Sequence, residues 1–156
     1  MGQEIERKFL VVSDRWRQGA TGVLMRQGYI PTSDARTVRV RQAGDRAYLT
    51  LKGPAVGLVR SEFEYPIPVE DAQVILETLC QPPLIQKYRY RIPLGNVVWE
   101  VDEFLGDNRG LVLAEVELQT PDQPVPLPGW IGQEVSEDPR YFNANLARHP
   151  FSHWSV

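Results

Sequence analysis

The sequence predicts a mainly antiparallel β fold: an eight-stranded sheet, closed or nearly closed into a barrel, with two or three helices outside it or at its ends. Three observations carry this expectation. Of eight strand-like runs, all but "VLMRQGYI" alternate apolar with charged residues at the two-residue period of a half-buried strand. Turn residues separate most of these runs at intervals too short for helical crossovers, which favours antiparallel neighbours over a parallel doubly wound sheet. Only one stretch, "VEDAQVILETL", is both long and helical in its periodicity. At 156 residues, without an internal repeat or a linker, the chain is expected to form one domain, 1–156, large enough to bury a core.

The first strand is expected over 4–12, ending at Ser13-Asp14, either of which can cap a short helix in "DRWRQ". "VLMRQGYI" reads as the second strand, and "TVRVRQAGDRAYLTLK" as a hairpin turning at Gly44-Asp45. "LVRSEFEYPIP" is a further strand, closed by its prolines. In the helix that follows, Ala72, Ile75, Leu76 and Leu79 form an apolar face, opposite Glu70, Gln73 and Glu77. "LIQKYRYRIPLG", "NVVWEVDEFLG" and "LVLAEVELQ" complete the eight, separated by Gly95-Asn96 and "GDNRG". The proline-rich stretch 120–132 is expected to be irregular, and "DPRYFNANLARHP" to hold a last short helix between its prolines.

The strands share an unusual feature. Glu4, Glu6 and Lys8 occupy one face of the first; Arg39 and Arg41, Lys52, Glu62 and Glu64, Lys87 and Arg89, Glu100 and Asp102, and Glu115 and Glu117 recur on later ones. A single wet face explains any one strand. Same-sign pairs two residues apart on nearly every strand are harder to explain that way, because like charges repel unless something neutralises them. A lumen lined by both signs satisfies the pattern if it holds an anion for the cations and metal ions for the carboxylates. Arginine and lysine suit phosphate oxygens. Carboxylates without histidine or cysteine suit hard cations such as Mg²⁺ or Mn²⁺ rather than zinc. The ligand so implied is a metal-complexed polyphosphate.

Other classes fit less well. A net charge of −3 gives no global footprint for nucleic acid. The single cysteine, Cys80, excludes an internal disulfide, suits a reducing compartment and reads as a buried apolar residue. No signal-peptide pattern or apolar run of membrane-spanning length is present, so a cytoplasmic protein without a membrane partner is expected. His149 and His153 lack a neighbouring acid or nucleophile and read as surface or packing residues; Trp99, Trp130, Trp154, Tyr88 and Tyr90 read as outer-core packing. Tyr29 and Tyr141 read equally well as core residues or as residues at a tunnel mouth.

"EIERKF", followed in order by "RVR", "LTLK", "EFE", "KYR", "EVDEF" and "LAEVEL", resembles the CYTH superfamily, the triphosphate tunnel metalloenzymes. "PRYFNANLA" is also similar to short bacterial members, whose preference is for inorganic tripolyphosphate. The resemblance implies an eight-stranded tunnel that binds a small triphosphate substrate and requires divalent cations, and it leaves a homodimer open. It assigns Lys8, Arg39, Arg41, Lys52, Lys87 and Arg89 to the triphosphate, with Lys8 and Lys52 also serving catalysis. Glu115 and Glu117 would bind one metal; Glu4, Glu6 and Glu62 or Glu64 would serve a second metal or the attacking water; Asp102 would support a metal or a basic neighbour. Thiamine or nucleoside triphosphate hydrolysis, class IV adenylate cyclase activity and non-catalytic polyphosphate sensing are the alternatives. No adenine site is recognisable, and a sensor has no need of a water-activating metal site.

Overall fold

A computed structural model describes residues 2–154; residues 1, 155 and 156 of the expected domain lie outside the described residues. All eight expected strands form: β1 (Gln3–Val11), β2 (Gly22–Ile30), β3 (Thr37–Ala43), β4 (Arg46–Lys52), β5 (Val59–Ile67), β6 (Ile85–Leu94), β7 (Val97–Phe104) and β8 (Val112–Glu117). They pair antiparallel in the order β5-β4-β3-β2-β6-β7-β8-β1, and β1 closes the barrel onto β5. That seam is short, with the three pairs Gln3↔Ser61, Glu4↔Arg60 and Ile5↔Val59. Gly44 takes a φ of 61° in the β3–β4 turn, where the chain must reverse within two residues.

A ninth strand, β9 (Ile131–Glu134), takes the edge of β1 beyond the seam. It starts within the stretch expected to be irregular. Its four residues, Ile-Gly-Gln-Glu, are too few to display a period. The helix expected in "DRWRQ" is only a 3-10 turn, Arg15–Arg17, and Asp14 makes no capping hydrogen bond to it. The long helix, α1 (Val69–Thr78), buries Ala72 and Leu76 against Val40 and Ala47, whereas Leu79, expected on that face, is exposed. Near the C-terminus a 3-10 turn, Pro139–Tyr141, leads into α2 (Asn143–Arg148). Among the described residues no helix is long and apolar enough to cross a membrane.

Much of the apolar packing lies on the barrel's outer surface, because alternation sends the charges inward. Ile5 and Phe9 of β1 pack with Val97, Trp99 and Val101 of β7 and with Val116 of β8. The fully buried Trp99 ring lies edge-on to Phe9 at 5.5 Å and to Trp130 at 5.8 Å. Tyr90 packs against Trp16 and Trp154 against Tyr141, while Tyr88 is exposed and contributes little to that layer. Cys80 is buried where a Cβ on Gly28 would come within 2.7 Å of it, so strand and cysteine approach closely and the thiol acts as packing. His149 and His153 are exposed.

Candidate active site

Twelve of the thirteen expected site residues line one cavity of about 1250 Å³ inside the barrel; Asp102 is the exception. Strand register explains how they meet. Lys8 lies opposite Glu115 and Glu6 opposite Glu117 on the β1–β8 pair; Lys52 lies opposite Glu62, and Arg89 opposite Asp102. A two-residue period places all of these side chains on the concave face.

The cations concentrate on β3 and β6, and most are held by neighbours. Asp102, fully buried, accepts from Lys87 Nζ at 2.7 Å and from Arg89 Nε and Nη2 at 2.7 and 2.8 Å. Burial opposes ionisation of Asp102, but Arg89 and Lys87 outweigh it and hold the carboxyl below its usual range. Burial pushes Lys87 down to about 7 against the pull of Asp102, with Arg89 and Arg41 adding to the shift. Burial and the neighbouring Arg39 push Arg41 down to about 9, which leaves it charged at neutral pH. Arg41 Nε donates to Gln27 Oε1 at 2.8 Å. Arg39 Nη2 donates to Thr50 Oγ1 at 3.1 Å, while its buried Nε has no acceptor among the described residues. An orphaned buried donor costs free energy, and a phosphate oxygen would satisfy it.

The carboxylates concentrate on β1, β5 and β8. Glu4 accepts from Lys52 Nζ at 3.2 Å on each oxygen and lies within hydrogen-bonding reach of Glu62. Burial and Glu62 raise Glu4 to about 7 in spite of Lys52. Burial, with Glu115 and Glu4 nearby, raises Glu6 well above the carboxylate range. Glu115 also suffers burial, but Lys8 and Arg89, at 3.9 and 3.6 Å, outweigh it and hold it well below that range. The two neighbouring carboxyls are thus shifted in opposite directions, Glu6 up and Glu115 down. Burial and the charges of Glu4 and Glu100 raise Glu117. Glu64 is partly exposed and contacts Arg39 and Thr50.

Among the described residues no three acidic or histidine side chains gather into a ready-made metal cage. The donors nevertheless fit a hard divalent cation. They are all oxygen, and burial together with neighbouring carboxylates raises Glu4, Glu6 and Glu117 among them. Mg²⁺ is commonly held by one or two carboxylates together with substrate phosphates and water, rather than by a complete protein cage.

Several lining residues were not among the expected ligands. Glu100 and Arg91 extend the faces of Asp102 and Arg89; Glu100 lies 3.4 Å from Arg89 Nη1 and accepts from Arg91 Nη1 at 2.8 Å. The same alternation that singled out their neighbours points to both. Tyr29 lines the cavity, and Gln27 and Asn143 join its hydrogen bonds. A neutral amide leaves no charge pattern by which to find it.

A closed antiparallel barrel with opposed cationic and acidic walls around one cavity defines a class that binds a polyanion together with cations. The family description "CYTH domain" matches residues 2–151, and the chain belongs to that family. It is 50% identical over 154 residues to an inorganic triphosphatase of Acetivibrio thermocellus, covering 99% of each chain. It is 39% identical over 150 residues to an inorganic triphosphatase of Nitrosomonas europaea, covering 92% of this chain and 96% of that one. A solved inorganic triphosphatase structure superposes with a TM-score of 0.67 at 36% identity, covering 92% of this chain and 93% of its own.

Proposed function

We propose that this chain hydrolyses inorganic tripolyphosphate to diphosphate and phosphate inside the barrel, with Mg²⁺ or Mn²⁺ as the cation. The observation that carries the reading is the pairing of a braced cationic wall with an under-compensated acidic wall across one cavity. The names of the two relatives support the substrate. Water adds to a terminal phosphorus, the P–O bond to the diphosphate breaks, and a proton is released.

Arg39, Arg41, Lys87 and Arg89 bind the phosphate oxygens and fix the chain's direction in the tunnel. Asp102 holds Lys87 and Arg89 in place and acts through them rather than as a metal ligand, since its oxygens are engaged by those cations. Lys8 and Lys52 stand where the walls meet and balance charge moving onto the departing diphosphate. Glu4, Glu6, Glu62, Glu115 and Glu117 are the carboxylates that would hold the cation, with Glu64 at the edge of the group. A bound cation neutralises phosphate oxygens and lowers the pKa of its water. The single cysteine accords with a reaction carried out in the cytoplasm.

A parallel assay of tripolyphosphate, ATP and thiamine triphosphate with Mg²⁺ or Mn²⁺ tests the proposal. Fastest release of phosphate and diphosphate from tripolyphosphate is expected. Preferential turnover of ATP, or formation of cyclic AMP, would overturn it.

A further inference from the structure

The "FNANL" stretch, 142–146, takes no part in the chemistry above, yet the fold builds it into one end of the cavity. Beneath it the inward faces of the strands turn apolar: Ile85, Phe104 and Leu113 continue the faces of Lys87, Asp102 and Glu115 but do not line the cavity, and they cluster with Tyr141 and Leu146. On this apolar floor Tyr141 O accepts from Lys8 Nζ at 3.1 Å. Two residues later, Asn143 Oδ1 accepts from Lys87 Nζ at 2.8 Å and from Gln27 Nε2 at 3.3 Å. Gln27, fully buried, accepts from Arg41 Nε through its own Oε1 and also donates to the Tyr29 hydroxyl at 2.8 Å.

We propose that Asn143 is a positioning residue for phosphate binding, fixing the Lys87 ammonium directly and the Arg41 guanidinium through Gln27. The inference rests on, and deepens, the tripolyphosphate reading. Its polarity is forced at both ends, because lysine and arginine can only donate. Lys87 therefore requires the Asn143 oxygen, and Arg41 requires the Gln27 oxygen. The Gln27 amide nitrogen is then left to point at Asn143 and Tyr29, so Arg41 and Asn143 hold the glutamine between them from opposite ends.

Lys87 has three N–H donors on a flexible stem. Asp102 and Asn143 take two of them, which aims the third. A neutral acceptor matters here. Asp102 is the carboxylate that Lys87 meets, and Arg89 shares it while also facing Glu100 and Glu115, so a second carboxylate on Lys87 would offset the positive charge that the ammonium offers to phosphate.

The test compares Asn143→Ala and Asn143→Asp, each alone and with Lys87→Met, by steady-state kinetics on tripolyphosphate after thermal melts confirm folding. The Ala variant should raise KM about tenfold with a smaller change in kcat, the scale of one lost hydrogen bond to a charged group. The Asp variant keeps the acceptor but adds charge, so it should raise KM further. In the Lys87→Met background the effect of Asn143→Ala should shrink. Equal effects in the two backgrounds, or a lower KM for the Asp than for the Ala variant, would overturn the proposal. If Asn143→Ala does not fold, the isosteric Asp variant carries the comparison. Should wild-type protein leave tripolyphosphate intact, the functional reading fails, and the substrate-free NMR signal of the Lys87 ammonium decides this one. That signal should be protected in wild type and the Asp variant and lost in the Ala variant. Unchanged protection in the Ala variant would overturn the assignment.

Discussion

The two walls of the barrel solve the problem of buried charge in opposite ways. On β3 and β6 the cations are braced: Lys87 and Arg89 by Asp102, Arg41 by Gln27, and Arg39 by Thr50. On β1 and β8 the carboxylates mainly face one another, and burial with mutual repulsion raises Glu4, Glu6 and Glu117. The cationic wall is therefore organised before any ligand arrives, whereas on the acidic wall Glu115 beside Lys8 and Arg89 and Glu4 beside Lys52 meet cations and the burial of Glu6 and Glu117 is left without a counter-ion to match it. Binding a polyanion and binding a cation become distinct demands placed on different strands of one sheet.

Removing divalent cations should have the largest effect. A chelator should reduce turnover to background, and added Mg²⁺ or Mn²⁺ should restore it; persistent hydrolysis in a metal-free sample would place the chemistry on the cationic wall alone. The raised pKa of Glu4, about 7, gives the pH dependence. Protons compete with the cation for this carboxylate, so at limiting cation and saturating tripolyphosphate kcat should rise as pH passes up through about 7, with a midpoint that moves to lower pH as cation is added, while KM rises over the same window as Lys87, also at about 7, loses its proton. For a carboxyl raised on folding, the contribution to stability is present below the unfolded pKa and is lost as pH rises through the folded one. The gain in Tm on adding cation should accordingly grow across the same window.

Substitutions on opposite walls should separate kcat from KM. Glu4→Gln and Glu6→Gln keep the shape but remove the capacity to ionise when a cation binds, and should lower kcat by about a hundredfold while tripolyphosphate still binds. Arg39→Ala or Arg41→Ala should mainly raise KM, by about tenfold to thirtyfold, as expected for losing a charge-assisted contact. Calorimetric titration of tripolyphosphate into the glutamine variants distinguishes the two walls: binding lost in proportion to turnover would mean that Glu4 and Glu6 hold the cation bridging to substrate.

Asp102 belongs by sequence to the acidic set and by structure to the cationic wall. Asp102→Ala leaves the buried Lys87 without its counter-ion and Arg89 with only its longer contacts to Glu100 and Glu115, and should cost about 3–5 kcal/mol of stability. Equilibrium denaturation without added metal measures it. A loss that appears only when Mg²⁺ or Mn²⁺ is present would return Asp102 to the metal ligands.

The lumen was legible because a period-two strand cannot hide its inward face: once Glu4, Glu6 and Lys8 share a side, so must Arg39 and Arg41 or Glu115 and Glu117. Closure of the sheet followed from the number of such faces. What alternation could not reveal was depth along the tunnel. Asp102 and Glu115 have the same signature, yet one sits beneath two cations and the other lines the cavity. Nor could it reveal contacts from elements without a strand period. Asn143 reaches Lys87 across a sequence separation of 56 residues, and β9 is too short to announce itself.

The smallest effect is expected where charge pairs on the outside. Arg7 points away from the lumen and donates to both oxygens of Glu134 at 3.0 and 2.8 Å, joining β1 to β9. Its geometry is bidentate, as good as that of Arg89 on Asp102, but both side chains are partly exposed, at 24% and 37%. Water therefore solvates either partner when the other is lost, and screening lowers the attraction in the intact pair. Glu134→Ala should cost less than about 1 kcal/mol in equilibrium denaturation and leave kcat and KM for tripolyphosphate unchanged. The deficit should shrink further in high salt, whereas that of Asp102→Ala, far from solvent, should persist. A loss at Glu134 approaching the lumenal one would mean that β9 fastens β1, and with it Glu4, Glu6 and Lys8, more tightly than its two ladder pairs, Phe9↔Glu134 and Val11↔Ile131, imply.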